Sequence, residues 1–190
     1  MSVPVKAKFI VTVIVFLIFI SCHDFTNILD PEAENYQGWP LLELGDVYGG
    51  GVVFYLDDSG GGLIASMSDQ SSGIEWYNGS YVTTGATALG IGAGSTNTAS
   101  IVASQGDGDY AAKLCSDLEL NDYNDWYLPS KDELNLMFEQ KDLIGDLAGI
   151  YWSSSEFGSN VAWGQSFLNG DPGSIGKEDK ARVRAVRAFP

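Results

Sequence analysis

A chain of 190 residues is long enough for one domain with a sizeable core, and 25 acidic against 10 basic residues give it a formal charge of −15. That charge repels phosphate backbones, which excludes nucleic acid as a partner, and it leaves a covalent lipid as the only route to an anionic membrane. With one histidine, His23, and two cysteines, Cys22 and Cys115, the folded part cannot assemble a zinc site or a catalytic unit built on an imidazole base. No cofactor, no metal and no enzymatic activity are expected.

The chain opens with Lys6 and Lys8 ahead of an apolar run, Phe9 to Ile20, interrupted only by Thr12. Crossing the hydrocarbon core takes about 20 apolar residues, so the run is short for a permanent span and right for a signal peptide. Ile20-Ser21-Cys22 resembles the bacterial lipobox, with Phe19 where leucine is commonest. The resemblance implies removal of residues 1–21 and acylation of Cys22. One acyl chain holds only marginally, whereas two or more hold stably. Asp24, just after the cysteine, resembles the surface-export signal of some Gram-negative lipoproteins, which implies an outer-membrane lipoprotein exposed on the cell envelope. Residues 22–43, with Pro31 and Pro40 and no sustained periodicity, read as a lipid-anchored tether whose Trp39, Leu41, Leu42 and Leu44 begin to dock on the domain.

The domain takes residues 44–190. Gly51 to Leu56 and Leu63 to Ser66 read as two strands joined across Asp57-Asp58-Ser59-Gly60-Gly61-Gly62, a hairpin. Residues 68–100, rich in glycine, serine and threonine, read as long ordered loops anchored by Trp76 and Tyr77. Asp109 to Leu118 has helical spacing of Ala112, Cys115 and Leu118, with Cys115 a buried structural thiol. A second helix starts after Pro129, where Ser130 and Glu133 form a capping box, and runs to about Gln140 with Leu134, Met137 and Phe138 on one face. Tyr151 to Ser155 is strand-like. Val161, Trp163, Gln165 and Phe167 alternate with Ala162, Gly164, Ser166 and Leu168, the period of a half-buried strand. Asn169 to Gly173 turns the chain, and Arg182 to Phe189 reads as one terminal strand whose arginines pair with the domain's own carboxylates. Short mixed strands and two packed helices make the fold α+β.

Three separated segments carry a family resemblance. They are Asp125-Trp126-Tyr127-Leu128-Pro129-Ser130-Lys131-Asp132-Glu133-Leu134, Tyr151-Trp152-Ser153-Ser154-Ser155-Glu156, and Arg182 to Phe189. Over roughly Gly45 to Phe189 the chain is similar to the Lcl C-terminal domain family, named after a collagen-like bacterial adhesin. The resemblance implies a C-type-lectin-like fold close to the formylglycine-generating enzymes, whose Arg-Leu-Pro-Thr-x-x-Glu-Trp segment the stretch from Trp126 to Leu134 resembles. Neither the catalytic cysteine pair of those enzymes nor the Glu-Pro-Asn and Trp-Asn-Asp motifs of calcium-dependent lectins is matched. Tyr151 to Phe189 also resembles the variable region of proteins diversified by retroelements, several of which are surface lipoproteins. The positions matching the variable ones are Phe157, Gly158, Ser159, Asn160, Val161, Gly164, Ser166, Leu168, Asp171, Gly173, Ser174, Ile175 and Gly176.

Those positions, Gly176 apart, are the candidate ligand-binding residues, since recognition concentrates on loops held by a rigid scaffold. The ligand class is an unidentified protein or glycan. Trp126, Trp152 and Trp163 read as core. The oxygen-rich stretches Asp107-Gly108-Asp109 and Asn121 to Asp125 read as solvated loop and helix cap, not calcium site. Two competing functions stay open: a glycan hydrolase using paired carboxylates such as Asp122 and Asp125, and a purely structural envelope lipoprotein. The lipid anchor predicts that palmitate labelling in a bacterial host marks the wild-type chain and is lost in Cys22→Ala; equal labelling of both would remove the anchor from the reading.

Overall fold

The computed structural model describes residues 42–190, so the signal segment, Cys22 and the tether up to residue 41 lie outside the described residues. Leu42 packs against the core and Leu44 is exposed. From there β1 (Val47–Tyr48), β2 (Gly51–Leu56) and β3 (Gly62–Ser66) run as an antiparallel meander, and β9 (Val186–Phe189) pairs antiparallel with β3. The β2–β3 hairpin forms where the Asp/Gly cluster suggests. The Asp57 carboxylate accepts from the Ser59 and Gly61 backbone N–H groups at 2.7 and 3.1 Å, which closes the turn.

A second sheet of five strands has the order β4 (Ser71–Ile74), β8 (Ala181–Val183), β5 (Ile150–Glu156), β6 (Val161–Ser166), β7 (Pro172–Gly176). Its pairs are antiparallel except β5 with β8. Four helices join the sheets: α1 (Ala93–Gln105), α2 (Ala111–Ser116), α3 (Lys131–Glu139) and α4 (Lys141–Ile144). The architecture is α+β. Because side chains alternate along a strand, β2 and β3 fill two core clusters at once. Val53 and Ile64 meet Trp76, Ile101, Cys115, Trp126 and Trp152 on one face, while Val52, Phe54, Leu63 and Ala65 meet Leu134, Met137, Tyr151 and Phe167 on the other.

Three elements differ from the sequence reading. Residues 68–100 hold β4 and most of α1, not loop alone, and among the described residues the helices number four rather than two. The α1 sequence, AGSTNTASIVASQ, has few strong helix formers and no apolar stripe. Tertiary contacts hold it instead: the Thr98 hydroxyl accepts from Leu128 N–H at 3.0 Å, and Asn97 donates to the Ala88 carbonyl at 2.7 Å. The helix read over Asp109 to Leu118 is shorter, Ala111–Ser116. The single terminal strand is two strands in different sheets, β8 and β9. Between them the Arg184 guanidinium is buried, donating to Asp69 and to the Ser66 and Asp146 carbonyls, and Ala185 N–H donates to Gln70. Backbone and side chain there are spent on cross-links between sheets, and the ladder breaks.

The capping box stands as read. Ser130 Oγ accepts from Glu133 N–H at 3.3 Å and Glu133 accepts from Ser130 N–H at 2.7 Å. The Glu133 carboxylate is fully buried and also accepts from Gly92 N–H at 2.8 Å, ahead of α1. Burial pushes its pKa up, and the backbone donors at Ser130, Gly92 and Gly94 oppose that. A methyl group at Gly94 would sit 2.3 Å from this carboxylate, so only glycine fits there. One side chain therefore caps α3 and fixes the start of α1. Ser130→Ala is expected to cost about 0.5–2 kcal/mol, read as a lowered denaturant midpoint with unchanged slope; an unchanged midpoint would show that the cap carries no stability.

Candidate functional site

The segment after β5 is a short turn, residues 157–160, closed by Phe157 and Gly158 N–H groups donating to the Val161 carbonyl at 3.1 and 3.0 Å. It rests on a buried ion pair. Lys177 Nζ lies 2.5 Å from Glu156 Oε1, with both side chains withdrawn from solvent. The same ammonium donates to the Ser159 carbonyl at 3.0 Å and to the Val82 carbonyl at 3.1 Å, and stands 4.6 Å from the centre of the Trp76 ring. Glu156 in turn accepts from Thr84 and Gly85 N–H groups at 3.0 and 3.1 Å. The Lys177 backbone N–H donates to the Asn160 carbonyl at 3.0 Å. The turn is thus held from below at two carbonyls while its side chains face out.

Phe157 is 58 % exposed although it is a large apolar residue. Its ring meets Trp163 edge to face, centres 5.0 Å apart at 88°. Lys131 Nζ stands over the same indole, 5.1 Å from its centre, and the carboxylate paired with it, Asp132, is 3.8 Å away. Trp163 is half-buried, not core as the sequence suggested. The inward face of β6 carries Ala162 and Gly164 instead. A methyl group at Gly164 would lie 2.4 Å from Ile175 and 2.8 Å from the Tyr151 carbonyl, so Ile175 occupies the space a side chain would need. With Ala162 opposite Ile175 and Trp163 opposite Ser174 in the β6–β7 register, the two faces of the hairpin separate.

The sequence-derived positions divide accordingly. Phe157, Ser159, Asn160, Leu168, Asp171, Gly173 and Ser174 are exposed, and Leu168 is 79 % so. Gly158, Val161 and Ser166 are half-buried. Gly164 is buried and Ile175 packs on the core, so neither offers a ligand much surface. Asp171 to Gly173 is turn end and strand start, because β7 begins at Pro172. Sequence reasoning missed Lys131 and Trp163 as surface groups. A signal existed for Lys131, a charged residue that lies off the apolar face of its helix; none existed for Trp163.

The paired-carboxylate alternative fares less well. Asp125 is gripped by Arg187 at 2.6 and 2.8 Å, and that guanidinium holds its carboxyl below the ordinary range, the reverse of what a general acid needs. An open cleft of about 620 Å³ is lined by Glu119, Asn121, Asp122, Tyr123 and Asn124, and among the described residues no group of three potential ligands could hold a metal. Arg182 and Arg184 both meet Asp69 at 2.8 Å, so the C-terminal arginines pair internally as expected. Cys115 is buried, which pushes its thiol pKa far up and keeps it inert. Trp126 and Trp152 are core.

The division of faces predicts opposite outcomes for two glycines. Gly164→Ala should cost about 1–3 kcal/mol by overpacking. Gly173→Ala, which meets nothing within 4 Å, should stay within about 0.5 kcal/mol. Equal thermal midpoints for both variants would refute the assignment. No curated protein matches the chain. The model of the Lcl C-terminal domain matches residues 65–187, from β3 to β9 and through every element of the candidate site, and the chain belongs to that family.

Proposed function

We propose that this protein is a ligand-binding lipoprotein displayed on the bacterial surface, anchored at Cys22 and recognising a protein or glycan through the β6–β7 hairpin and the turn before it. The fold in this reading is C-type-lectin-like. The observation that carries the proposal is Phe157: a large apolar side chain held in solvent, against a half-buried tryptophan, on a turn whose backbone is fixed from below. Nothing in the core requires it. Exposed aromatics on rigid supports supply much of the energy of an interface at low entropic cost, while Ser159, Asn160 and Ser174 offer adaptable hydrogen bonds. Lys131 adds one cation at the rim of a chain that is otherwise strongly acidic.

Diversification by a retroelement is part of the same proposal. The exposed positions Phe157, Ser159, Asn160, Asp171 and Ser174 can change without touching the core. An adenine-rich near-copy of the codons for residues 151–189, next to a reverse transcriptase gene, would support it; flanking DNA without one would remove that part and leave the binding reading intact.

The test of recognition is binding of the purified chain to arrayed surface proteins and glycans, beside the double variant Phe157→Ala/Asn160→Ala. The variant should unfold within about 0.5 kcal/mol of wild type and lose the wild-type array signal by on the order of tenfold or more. Retained binding would move the recognition face elsewhere on the domain.

A further inference from the structure

Among the described residues four strands stand at sheet edges, and three of them are blunted. β1 has only two residues. The outer side of β9 is bridged by Tyr127, which exchanges hydrogen bonds with Val186 at 2.8 and 3.0 Å. β4 shifts register between Ser71 and Ile74. β7 differs: it keeps unbroken register with β6 over five residues, and Pro172, Gly173 and Ser174 are exposed. Natural sheets protect such an edge with charges, prolines, bulges or a covering segment, because bare N–H and C=O groups invite another strand; β7 has one of these, Pro172, at its first residue.

The outward groups can be named. Ser166 N–H donates to the Asp171 carbonyl, and Lys177 N–H donates to the Asn160 carbonyl, both at 3.0 Å. In an antiparallel ladder bonded and unbonded pairs alternate. The register then puts Gly173 and Ile175 in bonds to β6 and turns the backbone groups of Pro172, Ser174 and Gly176 away from it. Pro172 has no N–H, and the Gly176 carbonyl accepts from Asp179 N–H at 3.0 Å. The Pro172 carbonyl, both groups of Ser174 and the Gly176 N–H remain directed off the sheet. No side chain on the strand is long enough to screen them, since the sequence is Pro-Gly-Ser-Ile-Gly and Ile175 turns onto the core.

Charge selects the occupant. Asp171 precedes the strand, Glu178 and Asp179 follow it, and all three are exposed. Lys177, the cation among them, is buried against Glu156, and the exposed Lys180 that follows pairs with Glu75 at 3.4 Å. A second copy paired antiparallel about Ser174 would bring Asp171 of each chain towards Glu178 and Asp179 of the other, which repels. A strand with basic ends meets carboxylates at both ends instead. We propose that β7 is a strand-addition site that takes an extended segment of a partner protein flanked by lysine or arginine. The proposal rests on the hairpin being the recognition element, and it names the partner: main-chain hydrogen bonds supply affinity and the flanking charges select the segment.

The test uses the full chain and a labelled peptide of alternating threonine and valine, long enough to span β7, with lysines at both ends. Fluorescence anisotropy should show binding that weakens with salt, and a glutamate-ended counterpart should bind on the order of tenfold more weakly or not at all. N-methylation of alternate peptide amides in the pairing register should abolish binding to the unaltered protein. Ser174→Pro removes an outward N–H and no bond to β6, a position where an edge strand tolerates proline, and should lose the peptide while keeping its thermal midpoint. An N-methylated peptide that binds like its parent, indifference to the end charges, or copies that associate through β7 in sedimentation would each overturn the proposal. Loss of peptide binding in wild type, with array binding still dependent on Phe157, would sink strand addition alone; peptide binding without that dependence would sink the aromatic face alone.

Discussion

A lysine ammonium and a glutamate carboxylate buried together are costly, because both ions leave water. Lys177 and Glu156 meet that cost with a full set of partners. The carboxylate accepts two backbone N–H groups from residues 84 and 85, and the ammonium donates to carbonyls of Val82 and Ser159. Charge-assisted bonds of this kind are stronger than neutral ones. The pair ties together the 82–85 segment, the end of β5, the turn at 157–160 and the chain leaving β7. Phe157, Ser159 and Asn160, the exposed groups of the turn, all stand on these segments. Without the pair the turn would have its own two closing bonds and little else, and the ordering entropy of a floppy loop would be charged to each binding event.

How much of this was legible follows from how far apart the interacting residues lie. The capping box at Ser130 and Glu133 spans three positions, and its chemistry can be read from the letters. The Asp57 turn is equally local. The second task of Glu133, holding Gly92 ahead of α1, links positions 41 apart and leaves no trace in either segment. Helix α1 was missed for the same reason. Its buried face is made of Gly94, Asn97, Thr98, Ile101 and Gln105, with Ile101 the one large apolar residue, and Asn97 and Thr98 succeed there because partners outside the helix satisfy them. The break between β8 and β9 is marked in RVRAVRAF only by a slip of the alternation at Ala185-Val186, two adjacent apolar residues, where the hydrogen bonds change sheets. The pairing of the arginines was legible, since acidic partners were abundant; their identities, Asp69 and Asp125, were not.

Trp163 marks the sharper limit. Period-two alternation assigns β6 two faces and does not say which one is inside. Size suggested the tryptophan side. The structure puts Ala162 and Gly164 inward because β7 brings Ile175 across them and β5 brings the Tyr151 carbonyl close, so the space is already filled. The volume that matters belongs to the neighbouring strands, and the strand's own letters do not report it. Farther along, Gln165 and Phe167 on the tryptophan's side are buried, so Trp163 alone turns from scaffold to surface and gives Phe157 a partner.

The hairpin therefore presents two kinds of surface that obey different rules. Side chains on its outer face and on the turn contribute little to the core, so their identity is set by what they meet outside. The backbone edge of β7 is indifferent to most side-chain changes, since hydrogen bonds are offered by the main chain whatever residue stands there. A domain built this way can vary its outer letters without altering either the fold or the geometry of the edge. The constraint falls on the few positions that must stay small or paired: Gly164, so that Ile175 can close the core, and Lys177 with Glu156, so that the turn keeps its height above the sheet. Substitutions at those places act on folding first and on recognition only as a consequence, which separates the residues that support the site from the ones that form it.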